Sequence, residues 1–147
     1  MDAVLRRHAR VRAEDAYAWF TDFADADLRI QRALKEQRVH REGGRLWVER
    51  TLDFGEGPFR IRFGVTLDPP RGYTARIAAK EGEFDLGFAF VPAAPGRRDE
   101  CDIVVTVHDA PDAPTASEAF RAGVLRNVSQ NLDDYVPAME KELARAG

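Results

Sequence analysis

The sequence predicts an α+β fold: an antiparallel sheet of about seven strands, one or two short helices after the first strand, and a long helix at the C-terminus. Three observations carry that expectation. Phe59, Ile61, Phe63, Val65 and Leu67 alternate with Arg60, Arg62, Gly64, Thr66 and Asp68, which turns one apolar face to a core and the other to water. The same alternation returns in Tyr73, Ala75, Ile77 and Ala79, in Phe84, Leu86, Phe88 and Phe90, and in Ile103, Val105 and Val107. The C-terminal stretch instead repeats apolar side chains every three or four positions, the spacing of one helix face.

Each element follows from local chemistry. Val4 to Val11 alternates small or apolar residues with arginines and reads as the first strand. Ala13 to Phe20 reads as a helix, with Glu14 and Asp15 complementing the positive end of its dipole and Ala16, Phe20 and Phe23 forming the core face. Leu28, Ile30 and Leu34 predict a second short helix or a turn-rich bridge, punctuated by Asp22, Asp25 and Asp27. Strands from Lys35 to Arg41 and from Arg45 to Phe54 flank Gly43-Gly44. Hairpin turns are expected at Gly55-Glu56-Gly57-Pro58, Asp68 through Gly72, Glu81-Gly82 and Pro92 through Arg98. Asp109 through Pro114 reads as a stiff linker, and Thr115 with Glu118 as a capping box. Beyond it, Phe120, Val124, Leu125, Val128, Leu132, Tyr135, Val136, Met139 and Leu143 fall within an arc of roughly 160° on a helical projection. Pro137 predicts a kink near Asp133.

Composition narrows the function classes. The 147 residues, with 22 basic and 25 acidic side chains, fit one globular domain over residues 1–147 that buries about 70% of its unfolded surface. The lone Cys101 excludes an intrachain disulfide and a multi-thiolate zinc site, and points to a reducing compartment. A net charge of −3 removes the electrostatic drive of a general nucleic-acid binder. The arginine-rich N-terminus lacks the apolar run of a signal peptide, and no stretch approaches the roughly 18 apolar residues of a membrane span, so a cytoplasmic protein without stable membrane insertion is expected. His8, His40 and His108 have no neighbours at metal-ligand spacing, and neither a metal nor another cofactor is expected. A Gly-x-Ser-x-Gly motif is absent, and Gly43-Gly44 and Gly55-Glu56-Gly57 read as turns rather than phosphate-binding loops.

The order of elements, together with the run Ala9-Arg10-Val11-Arg12-Ala13-Glu14-Asp15-Ala16-Tyr17-Ala18-Trp19-Phe20-Thr21-Asp22, resembles the START-like (SRPBCC) superfamily, within it the polyketide cyclase/dehydrase and lipid-transport group. The proline-aromatic pair that often follows the Asp in such proteins is absent between Asp22 and Ile30. The resemblance implies the helix-grip fold, a curved antiparallel sheet wrapped around the long C-terminal helix. It also implies a cavity between sheet and helix that takes an apolar or amphipathic small molecule. Packing leads to the same place: one helix does not fill the concavity of a curved sheet, so either large side chains close it or a pocket remains. The inward set holds both sizes, with Phe54, Phe59, Phe63, Phe84, Phe88 and Phe90 beside Ala9, Ala75, Ala79 and Gly123.

Candidate ligand-binding residues are Arg50, Tyr73, Asn131 and Tyr135 among inward apolar Phe63, Ile77, Phe88, Val105 and Val124. Arg50 interrupts Leu46, Val48, Leu52 and Phe54. A guanidinium on that face either anchors a ligand carboxylate, phosphate or enolate, or is held by an acidic residue such as Glu36 or Asp85. Arg7 raises the same question at a strand end. Tyr73 offers a phenol at a cavity mouth, and Asn131 or Asn127 a carboxamide at the edge of the helix's apolar face. Trp47 falls on the outer face. The leading function is binding of a hydrophobic or amphipathic small molecule by a carrier or sequestering module. One alternative is a cyclase, aromatase or dehydratase using the same cavity, for which no convincing general base is in sight. The other is a protein-interaction module with a filled cavity and an exposed apolar patch.

Overall fold

In a computed structural model of the protein, the described residues are 4–23, 34–53, 55, 57–79, 82–110, 114 and 117–146. Strand β1 (Val4–Ala9) leads into helix α1 (Ala13–Phe20). Strands β2 (Leu34–Glu42), β3 (Arg45–Asp53), β4 (Pro58–Asp68), β5 (Gly72–Ala79), β6 (Gly82–Pro92) and β7 (Cys101–Asp109) follow, and helix α2 (Glu118–Ala146) ends the chain. The strands form one curved antiparallel sheet in the order β1-β7-β6-β5-β4-β3-β2. Six strands thus meander from β2 to β7, and β1 closes the far side.

Alternation sets which face is buried, and pairing register aligns the inward residues across strands. Arg50 lies opposite Ile61, Phe63 opposite Ile77, Tyr73 opposite Phe88, and Phe88 opposite Val105. Residues directly opposite share a face, so these form inward rows. Val48, Phe63, Ile77, Leu86 and Val105 are buried, while Glu49, Arg62 and Thr74 on the other parity are exposed. Val124, Val128, Leu132, Tyr135, Val136 and Met139 of α2 are buried against this face, with Phe120, Leu125 and Leu143 half-buried beside them.

Polar ties hold α2 to the N-terminal segment. The Arg7 guanidinium donates to Asp133 at 2.9 Å and to Ser129 Oγ at 2.8 Å, the Arg10 N–H donates to Glu140 at 2.8 Å, and Trp19 Nε1 donates to Glu142 at 2.7 Å. Arg7 is therefore a link between β1 and α2. At the start of β5, Gly72 lies so close to β6 that a Cβ on it would sit 2.0 Å from the Phe88 carbonyl oxygen, which only glycine tolerates.

Several boundaries differ from the sequence reading. Strand β1 stops at Ala9 rather than Val11, because the extended Arg12 serves as N-cap of α1 and its carbonyl accepts the N–H groups of Asp15 and Ala16. Leu34 opens β2 instead of joining a second helix; Leu28 and Ile30 lie outside the described residues, as do Phe54, Thr115 and the side chain of Ala79. The α2 cap is Ser117: its Oγ accepts the Phe120 N–H at 3.2 Å and its carbonyl the Arg121 N–H at 3.0 Å. Pro137 lies exposed within α2, which continues to Ala146.

Candidate functional site

Between the sheet and the two helices lies a cavity of about 80 Å³. The sheet contributes Arg50 from β3, Ile61 and Phe63 from β4, Tyr73, Ala75 and Ile77 from β5, and Leu86 and Phe88 from β6. Helix α1 and the turn after it supply Trp19, Phe20 and Phe23. Helix α2 supplies Val124, Asn127, Val128, Asn131, Leu132 and Tyr135. The room is well below the roughly 300–1,000 Å³ of a typical ligand site, because rings occupy much of the concavity. Tyr73 stacks on Phe88 with centroids 4.6 Å apart and planes 8° from parallel. Phe23 sits 6.2 Å from both Phe63 and Tyr73, and Tyr135 lies edge-on to Trp19 and Phe20 at 5.7 and 5.9 Å.

Arg50 is the one charged side chain among the described residues lining this space. Its parity is inward, as the run of Leu46, Val48 and Leu52 requires, and it is half-buried. The Nε donates to Gln37 Oε1 at 2.7 Å, and the guanidinium carbon lies 5.1 Å from the Phe63 ring centroid, a cation–π contact. Gln37 in turn donates its Nε2 to the Phe23 carbonyl at 3.2 Å. The chain Arg50–Gln37–Phe23 thus ties edge strand β2 to the turn that closes the cavity. Phe23 itself holds a positive φ of 46° while buried, an uncommon conformation for a bulky residue that its packing sustains. The carboxylates expected to hold Arg50 pair elsewhere: Glu36 with Arg38 at 3.0 Å, and Asp85, on the outer face, with Arg76.

The candidate residues from sequence come together here, with two corrections. Val105 is wholly buried across from Phe88 and is not among the lining residues. Tyr73 is no rim residue, being 8% exposed and covered by Phe88 and Phe23. Sequence reasoning missed Trp19, Ile61 and Leu86 as lining residues and counted Phe20 and Phe23 only as core, while Asn127, offered as the alternative to Asn131, lines the cavity beside it. Inward parity already marked Ile61 and Leu86; nothing in the spacing marked Trp19. Asn127 is 9% exposed, which its place at the flank of the apolar arc did not predict.

The remaining reactive groups lie away from the cavity. His8 bridges Glu100 and Asp102 at 2.9 and 3.1 Å, His108 is exposed beside Thr106, and His40 stacks on Trp47 at 5.1 Å. Burial pushes the Cys101 thiol up to about 11. Among the described residues, no three His, Cys, Asp or Glu side chains are grouped to hold a metal ion, and no helix is long and apolar enough to cross a membrane. On the outer face Trp47 lies between Arg45 and Arg62 beside a wide, solvent-open hollow of about 680 Å³ over Gly64. The exposed large apolar side chains among the described residues are Leu67 and Val91.

No protein-family model matches the chain, and no curated protein sequence matches it. Solved structures do. The Zhui aromatase/cyclase from Streptomyces sp. R1128 aligns over 100% of this chain and 98% of its own, at 18% identity and a TM-score of 0.78. The di-domain ARO/CYC StfQ from the steffimycin biosynthetic pathway aligns over 97% of this chain at 13% identity and a TM-score of 0.76, so this chain spans 51% of that protein. A START superfamily protein from Mycobacterium smegmatis aligns over 94% of this chain and 98% of its own, at 13% identity and a TM-score of 0.69. At these identities the alignments show a shared fold: seven antiparallel strands, a short helix after the first and a long C-terminal helix give this chain a helix-grip fold.

Proposed function

We propose that the protein binds a hydrophobic or amphipathic small molecule in the cavity between the sheet and α2. The observation that carries this reading is the composition of the wall: aromatic and aliphatic side chains around one half-buried guanidinium and two carboxamides. Such a wall is a poor host for water and a good one for an apolar body with an oxygen-bearing polar group. Burial supplies affinity at about 25 cal/mol per Å² of apolar area, and Arg50, Asn131 and the tyrosine hydroxyls orient the polar end. A small ligand fits the open space as it stands, whereas a larger one displaces rings, of which Trp19 and Phe88 are half-buried. The protein acts as a carrier or sequestering module in the cytoplasm, a placement supported by the single reduced cysteine.

The likeness to two aromatase/cyclases favours a second reading, in which the same cavity catalyses cyclisation or dehydration. Arg50 would then stabilise an enolate, and a phenol, Tyr73 or Tyr135, would be the proton-transfer group. Carboxylates and imidazoles are absent from the described lining, which ranks binding first.

Native mass spectrometry of freshly purified protein, followed by organic extraction of what denaturation releases, tests the proposal. The expected result is a bound species of a few hundred daltons whose loss accompanies unfolding. If the protein carries nothing and also fails to take up any compound from a panel of aromatic and acyl carboxylates, the binding reading is wrong.

A further inference from the structure

A second apolar cleft, of about 170 Å³, lies next to the cavity toward the N-terminal end of α2. Leu52, Phe59, Phe120 and the small residues Ala119 and Gly123 form its outer part, and it shares Ile61, Val124 and Asn127 with the cavity. These three side chains are the partition between the two spaces. Two of them are apolar. The third, Asn127, is more than nine-tenths buried, and its carboxamide makes no hydrogen bond among the described residues. A carboxamide offers two donors and a two-lone-pair acceptor, and that of Asn127 is open to the two spaces it borders rather than sealed within protein. One helical turn further on, Asn131 also faces the cavity without a protein partner among the described residues.

We infer that the two spaces are compartments of one ligand site and that Asn127 is the hydrogen-bonding group at its waist. The ligand class is an elongated hydrophobic molecule that carries an oxygen in mid-length as well as a polar end. Its body spans both compartments by turning aside Ile61 and Val124, its anionic or polar end lies in the Arg50 compartment, and a carbonyl or hydroxyl in its middle bonds Asn127. A molecule with a purely hydrocarbon middle leaves the carboxamide unpaired and binds less well. This rests on the ligand-binding reading above and specifies the ligand further.

The test uses two carboxylates that differ at one atom pair, 4-benzoylbenzoate and 4-benzylbenzoate, in which a carbonyl or a methylene joins two rings. Calorimetric titration of the intact protein is expected to give a preference of about fivefold for the carbonyl compound, within the range of a single hydrogen bond. In Asn127→Leu that preference disappears while 4-benzylbenzoate binds as well as before or better. Because the benzophenone carbonyl is photoreactive, irradiation of the wild-type complex provides an independent readout, with cross-links expected at Ile61, Val124 or Asn127. Equal binding of the two compounds to the wild type, or a preference that survives Asn127→Leu, overturns the role of Asn127 and leaves the binding reading standing. Binding of neither compound overturns the site itself, and the inference falls with it.

Discussion

Arg50 is the side chain on which a binding site and a structural link are most sharply opposed. A hydrogen bond to Gln37 and a cation–π contact with Phe63 help to hold it in place, yet it also lines the cavity. Arg50→Met keeps the unbranched stem and removes the charge. If the guanidinium anchors an anionic ligand, the variant is expected to lose at least about tenfold in affinity, as for a charged hydrogen bond, with a melting temperature close to wild type. A large fall in melting temperature with affinity unchanged would make Arg50 a structural tie. His8 gives a separate pH dependence. Its hydrogen bonds, first to Glu100 and then to Asp102, raise its pKa above the ordinary value of about 6.5, while Glu100 is held below its ordinary value by His8. The raised imidazole stabilises the fold fully below the unfolded value and loses that contribution as pH rises through the folded one. The depressed carboxylate does the reverse, losing its contribution as pH falls. The link between β1 and the start of β7 is therefore firmest between roughly pH 4.5 and 6.5, where both partners are charged. An NMR titration of the His8 ring is expected to give a midpoint above 6.5, moving down to about 6.5 when Glu100 and Asp102 are changed to Gln and Asn.

Strands and helices were legible to different depths. Period-two alternation placed β4 through β7 within a residue or two, since each strand has one face against a core and one in water, and the Gly43-Gly44 turn placed β3. Strand β2 was found from its turn, not its pattern, because an edge strand such as Lys35-Glu36-Gln37-Arg38 carries charge on most positions and so resists pairing with another sheet. The cap of α2 went to Ser117 rather than Thr115, two hydroxyl residues between which sequence alone offers little choice. Gly72 shows an approach that no motif announced. Gly72→Ala would force the added methyl onto the Phe88 carbonyl, and separation of β5 from β6 there is expected to cost about 2–3 kcal/mol, as other overpacking substitutions do. Chemical denaturation measures it. A variant as stable as wild type would mean that the β5–β6 pairing relaxes without strain and that the glycine is dispensable.

The protein as a unit pairs a sheet that grips a helix with a space the helix does not fill. Rings crowd that space to about 80 Å³, so the ligand-free fold is largely packed and a ligand adds contacts to what already holds together. A compound that binds only the folded chain is therefore expected to raise its stability by about 2.7 kcal/mol at a concentration a hundred times its dissociation constant, with a melting temperature that climbs with concentration. Thermal scans against a dilution series of any extracted ligand check this. A melting temperature indifferent to a ligand that titrates normally would mean that the unfolded chain binds it as well, and would count against a site built by the fold.

From residue order alone come the strands, the buried face of each, the amphipathic C-terminal helix and the inward parity of Arg50, Phe63, Ile77 and Phe88. These are local properties, written in spacings of two and of three to four. Packing alone decides which inward residues border empty space and which are buried against one another. Val105 and Phe88 are opposed on neighbouring strands and share a face, yet only Phe88 reaches the cavity. Gln37 as the partner of Arg50 and Asn127 as a buried carboxamide belong to the same class. Parity tells which way a side chain points, but how deep it lies depends on where the sheet curves and where α2 crosses it. Both are set by contacts between residues far apart in the chain.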